Sequence, residues 1–579
     1  MAGDKLLLTG NEAIARGAWE AGVSVATAYP GTPSTEILES ISKYSEIYSE
    51  WGTNEKVAYE VAYGAAIAGK RAIACMKQVG LNVAADPFFT SSYTGINGGF
   101  VLISADEPGV FSSQNEQDNR NYAHAAKVPM LEPSDSEECR LYVKNAFEIS
   151  EKFDTPVIVR MTTRACHTHS PVNSENRVEV EKKAYVKDAV KRSMIPIYAL
   201  KRHEVVEKRL KTLSEFNDNS ELNSIYNKDG KSEYCIITSG IAFTHVMEVC
   251  DNIPVLKLGF TYPLPVKFIE DFIKNFKKII VIEENDDFLL YQLRFNLPEY
   301  SFHGKPAEYI INELNADRVK EIIEFITSKK SNSEKNINSF DISTLPPRPP
   351  QFCPGCPHRA TFYTIAKHKI PVTGDIGCYG LGVLPPFSGM DTILCMGASV
   401  TMAHGFSLSG EKAVGIIGDS TFFHTGINGL INTYYNKGIS TIIILDNSIT
   451  AMTGGQINPA SFTSNTVNVK IEDVVKGIGI KNIHILDSYE LKNIDSKIRE
   501  CVQTDELNVI IVKNPCVLIK KEKNEKKYMV NQNNCVKCKM CLKVGCPAIT
   551  VDNGNVSIIE DFCAGCGVCA AVCPKGAII

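Results

Sequence analysis

Three features are missing from this sequence of 579 residues. No apolar run approaches the roughly 20 residues that a membrane-spanning helix needs. The N-terminus, MAGDKLLLTG, lacks the basic region and long apolar stretch of a secretory leader. Positive charge is not in excess either: the formal net charge of -5 argues against a general nucleic-acid binder. Membrane and nucleic-acid partners are thereby set aside, and a cytoplasmic location is expected. A hydrophobic fraction of 44% and a charged fraction of 22% are those of a soluble globular chain. Its length exceeds one hydrophobic core, so roughly three to five domains are expected.

Cysteine, by contrast, is abundant. Of 19 cysteines, eight (Cys535, Cys538, Cys541, Cys546, Cys563, Cys566, Cys569 and Cys573) lie in the final 45 residues at spacings too tight for a disulfide framework. Cys535-x-x-Cys538-x-x-Cys541-x4-Cys546-Pro547 and Cys563-x-x-Cys566-x-x-Cys569-x3-Cys573-Pro574 are two copies of the bacterial ferredoxin run. In that repeat the fourth Cys of each run ligates the other cluster. One [4Fe–4S] cluster is thus expected on Cys535, Cys538, Cys541 and Cys573, the other on Cys546, Cys563, Cys566 and Cys569. Two closed four-thiolate zinc sites are the alternative, disfavoured by the third Cys and trailing Pro of each run.

The chemical centre is the stretch AVGIIGDSTFFHTGINGLINTYYNKGISTIIILDNSITAMTGGQ, Ala413 to Gln456. The apolar run Ala413–Ile417 breaks at Gly418-Asp419-Ser420, a helical pattern follows, and a second apolar run, Thr441–Leu445, breaks at Asp446-Asn447: strand, helix, strand. Ligands of an open parallel sheet gather at the carboxyl ends of its strands, where Asp419 and Asn447 converge if the two strands are neighbours. A carboxylate, an amide oxygen and the backbone carbonyl of Ile449 are hard donors suited to octahedral Mg²⁺ that also holds diphosphate oxygens. Gly-Asp after a strand is otherwise an ordinary turn and helix cap. The second strand-end polar side chain, Asn447, is what favours a metal.

These residues resemble the diphosphate-binding domain of thiamine-diphosphate enzymes. MGASVTMAHG (Met396 to Gly405), IGDS, DNSITAMTGGQ and the upstream CPGCPH resemble the 2-oxoacid:ferredoxin oxidoreductase branch. Over nearly its whole length the chain is similar to the large, ferredoxin-bearing alpha subunits of indolepyruvate ferredoxin oxidoreductases. Ser420 departs from the pattern, standing where many thiamine enzymes have Gly. The resemblance implies thiamine diphosphate and Mg²⁺ as cofactors, contacted by Gly397, Ala398, Ser399, Gly418, Asp419, Ser420, Asn447, Ile449 and Thr453. It also implies a third [4Fe–4S] cluster beside the thiamine, on Cys353, Cys356, Cys378 and Cys516. Simpler family members hold one on a Cys-x-x-Cys, a Cys after Ile-Gly and a late Cys. Reduced thiols in a Cys-Pro turn are the alternative.

The fold class implied is α/β, with thiamine-enzyme doubly wound parallel sheets and a small α+β two-cluster ferredoxin domain. The expected division is a pyrimidine-binding domain (1–170), a transketolase C-terminal-like domain (171–327), a linker (328–350), a diphosphate and Mg²⁺ domain (351–518), a basic linker (519–527) and the ferredoxin domain (528–579). In the first, Val23–Ala28, Ala72–Met76 and Val101–Ser104 read as strands. The turn after the first of these, Tyr29 to Ser34, either presents Thr32 and Ser34 to a ligand or caps the next helix. In the family a similar Pro-x-Thr-Pro-Ser turn lies against substrate and cofactor, which makes Thr32 a catalytic candidate. Glu55, followed nine residues later by Gly64, matches the spacing of the family's catalytic Glu. Its carboxyl is expected to bond the pyrimidine nitrogen and promote loss of the thiazolium C2 proton. Glu60 is the competing candidate. The polar run Gln114–Arg120 reads as a solvated loop, the alternative being one that faces the substrate mouth. In the second domain Cys235–Ser239, Val255–Leu258 and Ile279–Glu283 read as strands with no catalytic constellation.

Together these expectations describe the oxidative decarboxylation of a 2-oxoacid, and the resemblance implies indolepyruvate and other aryl pyruvates as its substrates. Coenzyme A captures the acyl group, and electrons leave through the clusters to an external ferredoxin. The family's smaller beta subunit is expected as a separate polypeptide. The alternatives are an oxidoreductase for another 2-oxoacid, a non-oxidative thiamine decarboxylase with an iron–sulfur tail, and an electron carrier with inactive thiamine domains.

Overall fold

The computed structural model describes residues 5–328, 344–346, 349–463, 466–519 and 526–579. Most of the expected linker 328–350 and of the basic linker 519–527 therefore lies outside the described residues. The chain forms two compact units, Met1–Asn336 and Ile337–Ile579. Among the described residues no helix is long and apolar enough to cross a membrane.

The first unit contains two main sheets. The larger has seven strands in the spatial order Phe260–Tyr262, Met130–Leu131, Val157–Thr162, Phe100–Asp106, Ala72–Lys77, Val25–Ala28, Tyr48–Trp51. All its neighbours are parallel except the first pair. Strands Ala72–Lys77, Phe100–Asp106 and Val157–Thr162 are buried at every position, as expected for a parallel sheet covered by helices on both faces. The helix Glu55–Ile67 is started by Asn54, whose side chain accepts from Val57 N. It buries Ala58, Ala62 and Ala66 on one stripe, and Thr27 Oγ1 donates to Ala58 O at 2.6 Å, an approach that small side chains allow. Tyr59, on the same helix, packs edge-on to Phe100 with centroids 4.9 Å apart. Truncating such a buried ring costs about 3–5 kcal/mol. The second sheet runs Phe302–His303, Lys278–Ile282, Tyr234–Ser239, Val255–Leu258, Ser224–Tyr226. Phe260–Tyr262 falls within the expected second domain, 171–327. It pairs instead onto the edge of the first sheet, antiparallel to Met130–Leu131.

The second unit is built on a six-stranded, wholly parallel sheet ordered Thr392–Ile393, Val372–Gly374, Val414–Gly418, Thr441–Asp446, Asn508–Lys513, Ile483–Asp487. Val414–Gly418 and Thr441–Asp446 are direct neighbours, with Gly418 opposite Leu445, so their carboxyl ends open side by side. The segment 526–579 adds the antiparallel pair Ile549–Asp552 and Asn555–Ile558 and its own small apolar cluster of Cys541, Ile549, Val556, Cys569 and Ile578. Val544 and Val568 of this segment join Phe352, Phe362 and Phe387 in one core, so the cysteine-rich segment is packed onto the sheet domain.

Candidate functional site

Asp419 and Asn447 stand one residue beyond adjacent strand ends, and both are buried. The side-chain oxygen of Asn447 lies 2.8 Å from the Ile449 carbonyl oxygen and 3.2 Å from Asp419 Oδ1. Three oxygens this close require either a turned amide that donates to both or a cation among them. Burial, and then the neighbouring Asp446 carboxylate, push the Asp419 carboxyl up to about 8. The site is therefore short of positive charge, and its donor set fits Mg²⁺. Ser420, the departure from the family pattern, accepts from Thr450 Oγ1 at 2.9 Å and so ties the loop after the second strand to the end of the first. That loop continues through Thr453, which bonds Gln456, to Gly454 and Gly455 at φ 126° and 93°. The helix after Asp419 opens with a π turn, Phe422–Gly426, a local widening often found at functional sites.

The Gly397, Ala398 and Ser399 amides all donate within the chain. Gly397 N bonds Asp375 Oδ1 at 2.9 Å, Ala398 N bonds Cys395 O at 3.1 Å, and Ser399 N bonds Asp375 Oδ2 at 3.0 Å. Any contact of this segment with a cofactor thus comes from atoms other than these three N–H groups. Asp375 escapes sequence reasoning, since a lone Asp after a three-residue strand carries no motif. Burial raises its carboxyl to about 6 despite three backbone donors.

Twelve of the 19 cysteines fall into three groups, within each of which neighbouring thiols disfavour one another's ionisation. Burial pushes the Cys356 thiol up to about 12, with Cys378 and Cys353 adding to the rise. Burial lifts Cys378 to about 11, with Cys516, Cys353 and Asp419 adding to it, and Cys516 is likewise raised by burial, Cys353 and Asp419. Cys516 N donates to Asn447 O at 3.0 Å, so this group borders the carboxylate–amide site. In the terminal segment burial raises Cys541, and Cys538, Cys573 and Cys535 add to it. Cys569 is pushed to about 12 by burial and by Cys566, Cys546 and Cys563. The fourth cysteine of each run thus sits with the other run. Cys535, Cys538, Cys541 and Cys573 line one pocket. No three His, Cys, Asp or Glu side chains among the described residues close around a single metal ion. A [4Fe–4S] cubane takes one thiolate on each of its four irons and holds its ligands further apart than a single ion does.

In the first unit Glu55 is 5% exposed and its side chain lies against the backbone of Gly80, where an added Cβ would come within 2.6 Å of Glu55 Cγ and Oε1. Glu60 faces outward and pairs with Lys56. Thr32 is half-buried in the turn at the end of Val25–Ala28, while Ser34 donates to Gly31 O at 2.9 Å within the same turn. Beside this turn Lys77, lowered by burial, lies 3.4 Å from Glu107 and donates to Ser112 Oγ at 3.0 Å. Neither Lys77 nor Glu107 belongs to a recognisable sequence pattern.

The polar run 114–120 is only partly the solvated loop expected. Asp118, Asn119 and Arg120 are buried. Arg120 holds Asp118 at 2.5 Å and Glu283 at 2.7 Å, and Arg160 holds Asp106 at 2.6 Å and Glu132 at 2.7 Å. Charged residues enter a core in this way only when paired, and the partners come from strands and loops up to 163 positions away.

Three family models match the chain: "Pyruvate flavodoxin/ferredoxin oxidoreductase, thiamine diP-bdg" over residues 16–214, "Thiamine pyrophosphate enzyme, C-terminal TPP binding domain" over 375–512, and "4Fe-4S dicluster domain" over 527–574. The chain is 41% identical to the indolepyruvate oxidoreductase subunit IorA of Methanothermobacter marburgensis, covering 100% of this chain and 97% of that one. It is 40% identical to IorA of Archaeoglobus fulgidus, with the same coverage. A solved 2-oxoglutarate:ferredoxin oxidoreductase from Magnetococcus marinus, with 2-oxoglutarate, coenzyme A and succinyl-CoA bound, overlaps 55% of this chain and 66% of its own at 18% identity and a TM-score of 0.48. A thiamine-site sheet, two ferredoxin runs and this full-length identity place the chain in one family: it belongs to the indolepyruvate oxidoreductase IorA subunits, thiamine-dependent 2-oxoacid oxidoreductases with iron–sulfur electron transfer.

Proposed function

We propose that the chain is the catalytic alpha subunit of a cytoplasmic enzyme that oxidatively decarboxylates indolepyruvate and related aryl pyruvates to the aryl-acetyl-CoA and CO₂. Its partners are a separate smaller beta subunit, in an (αβ)₂ assembly, and an external ferredoxin. What supports the reading is the border between the group Cys353, Cys356, Cys378 and Cys516 and the Asp419–Asn447 site, through the bond from Cys516 N to Asn447 O. An electron acceptor is thereby expected next to the decarboxylation site.

When bound, thiamine diphosphate supplies the carbon nucleophile and electron sink for breaking the bond to the 2-oxoacid carboxylate, and [4Fe–4S] clusters accept electrons singly. Asp419, Asn447 and the Ile449 carbonyl would hold Mg²⁺, whose charge would offset that of the diphosphate. Glu55 is assigned the hydrogen bond to the pyrimidine nitrogen, and Thr32 a position against the substrate. The twelve cysteines hold three clusters, so about twelve irons per chain are expected.

The test is an anaerobic assay of the chain with its partner subunit, coenzyme A, a panel of 2-oxoacids and a low-potential dye. Dye reduction with aryl pyruvates is expected. Activity with pyruvate and none with aryl pyruvates would overturn the substrate assignment. Aldehyde release without dye reduction would point to the non-oxidative alternative.

A further inference from the structure

Arg359 opens the helix Arg359–His368 and is 1% exposed. Its four bonds all go to backbone carbonyls. Nη2 donates to Phe352 O at 2.9 Å and Cys353 O at 2.7 Å, while Nη1 donates to Val544 O at 2.9 Å and Gly545 O at 2.5 Å. One pair includes a cysteine of the group beside the carboxylate–amide site. The other leads directly into Cys546. The buried Nε–H meets no acceptor among the described residues.

A guanidinium withdrawn from water is costly unless an anion faces it, and carbonyl dipoles answer only part of that cost. The cysteine groups on both sides of Arg359 would become anionic on ligating clusters. Arg359 bonds the carbonyl of Cys353 on one side and that of Gly545, next to Cys546, on the other, so its charge lies between two of the cysteine groups. Tyr489 lies beside the first of these groups: its hydroxyl donates to Gly355 O at 2.9 Å, between Cys353 and Cys356. A [4Fe–4S] cluster with four thiolates is a dianion when oxidised and a trianion once it has accepted one electron. A fixed cation therefore favours the reduced form.

We propose that Arg359 is the shared counter-ion of two clusters, one on Cys353, Cys356, Cys378 and Cys516 and one on Cys546, Cys563, Cys566 and Cys569. It raises the reduction potential of both, so that the electron leaving the decarboxylation site passes first between these two and only then to the cluster on Cys535, Cys538, Cys541 and Cys573. Arg359 is a positioning residue in this scheme. The proposal rests on the third cluster assigned under Proposed function.

The experiment is an anaerobic redox titration, followed by electron paramagnetic resonance, of the unaltered chain, Arg359→Gln and Arg359→Lys. The outer cluster serves as internal reference. Arg359→Gln is expected to lower both inner potentials by at least a tenfold change in reduction equilibrium, about 59 mV for one electron, with the outer cluster unmoved. Arg359→Lys, which keeps the charge and loses most of the carbonyl bonds, is expected to retain the inner potentials. Inner potentials within twofold of the unaltered chain in the Gln variant, about 18 mV, overturn the proposal. If the Gln variant does not assemble its inner clusters, the Lys variant decides. Inner clusters retained at unshifted potentials support a charge role, and their loss there too reduces Arg359 to a structural clamp. About eight irons in the unaltered chain would remove the third cluster and with it the sharing. A shift confined to the Cys546 cluster would then mark failure of the cluster count rather than of the counter-ion.

Discussion

Gly80→Ala is the most selective probe of Glu55, because it changes the position of the carboxyl without changing its chemistry. A Cβ at residue 80 stands 2.6 Å from Glu55 Oε1 and Cγ and 2.9 Å from Cδ, about 0.8 Å inside ordinary van der Waals contact. Gly80 lies within the helix Gln78–Val83, where alanine is favoured over glycine by about 1 kcal/mol. The backbone therefore has no reason to move, and the flexible end of Glu55 is what gives way. Misplacing a catalytic group by about 1 Å costs on the order of 100-fold, so the displacement here is expected to slow the Glu55-dependent step by roughly 10- to 100-fold. The assay is deuterium exchange at the thiazolium C2 of bound thiamine diphosphate, quenched with acid and read by NMR, with cofactor affinity and iron content as controls. Glu55→Gln sets the lower limit. Exchange within twofold of the unaltered rate in Gly80→Ala, at normal cofactor affinity, would refute the role given to Glu55.

Asp419→Asn is expected to weaken Mg²⁺-dependent thiamine diphosphate binding by about 100-fold or more in calorimetry while iron content holds, and chelation of Mg²⁺ from the unaltered chain to release the cofactor. Unchanged affinity would remove Asp419 from the metal. Cys573→Ser is expected to alter the spectrum of the cluster on Cys535, Cys538 and Cys541 and leave that on Cys563, Cys566 and Cys569 intact; the reverse result would mean uncrossed ligation. Arg120→Gln strands two buried carboxylates and is expected to cost about 3–5 kcal/mol near neutral pH, read by urea unfolding of the first unit. Burial works to raise Asp118, but Arg120 and Arg160 outweigh it and hold the carboxyl down to about 2. Its stabilisation is therefore present above the unfolded value of about 3.8 and lost as pH falls through about 2. The destabilisation by Arg120→Gln should accordingly shrink on acidification, and a pH-independent loss would count against the ion pair.

Much of the chemistry was legible along the chain because it is written at short range. Short apolar runs broken by Gly-Asp and Asp-Asn marked Val414–Gly418 and Thr441–Asp446 to within a residue of their observed ends. A three-residue cysteine period requires no tertiary information to be read as a cluster site. Glu55 over Glu60 rested on a family spacing, and the helix face sets the two apart: one is buried against Gly80, the other turned out to Lys56.

What the chain by itself determined is which local segments become strands, turns and ligand-bearing loops, since backbone geometry and side-chain period act over a few residues. Only packing decided which distant charges meet. Asp118 and Arg120 read as surface residues until Glu283 arrives from the second sheet, Asp375 has no motif until it receives the amides of Gly397 and Ser399, and Arg359 is one more helix-starting cation until the backbone before Cys546 closes over it. Burying a charge is favourable only when its partner is already in place, and that partner is chosen by the fold and not by its neighbours in sequence.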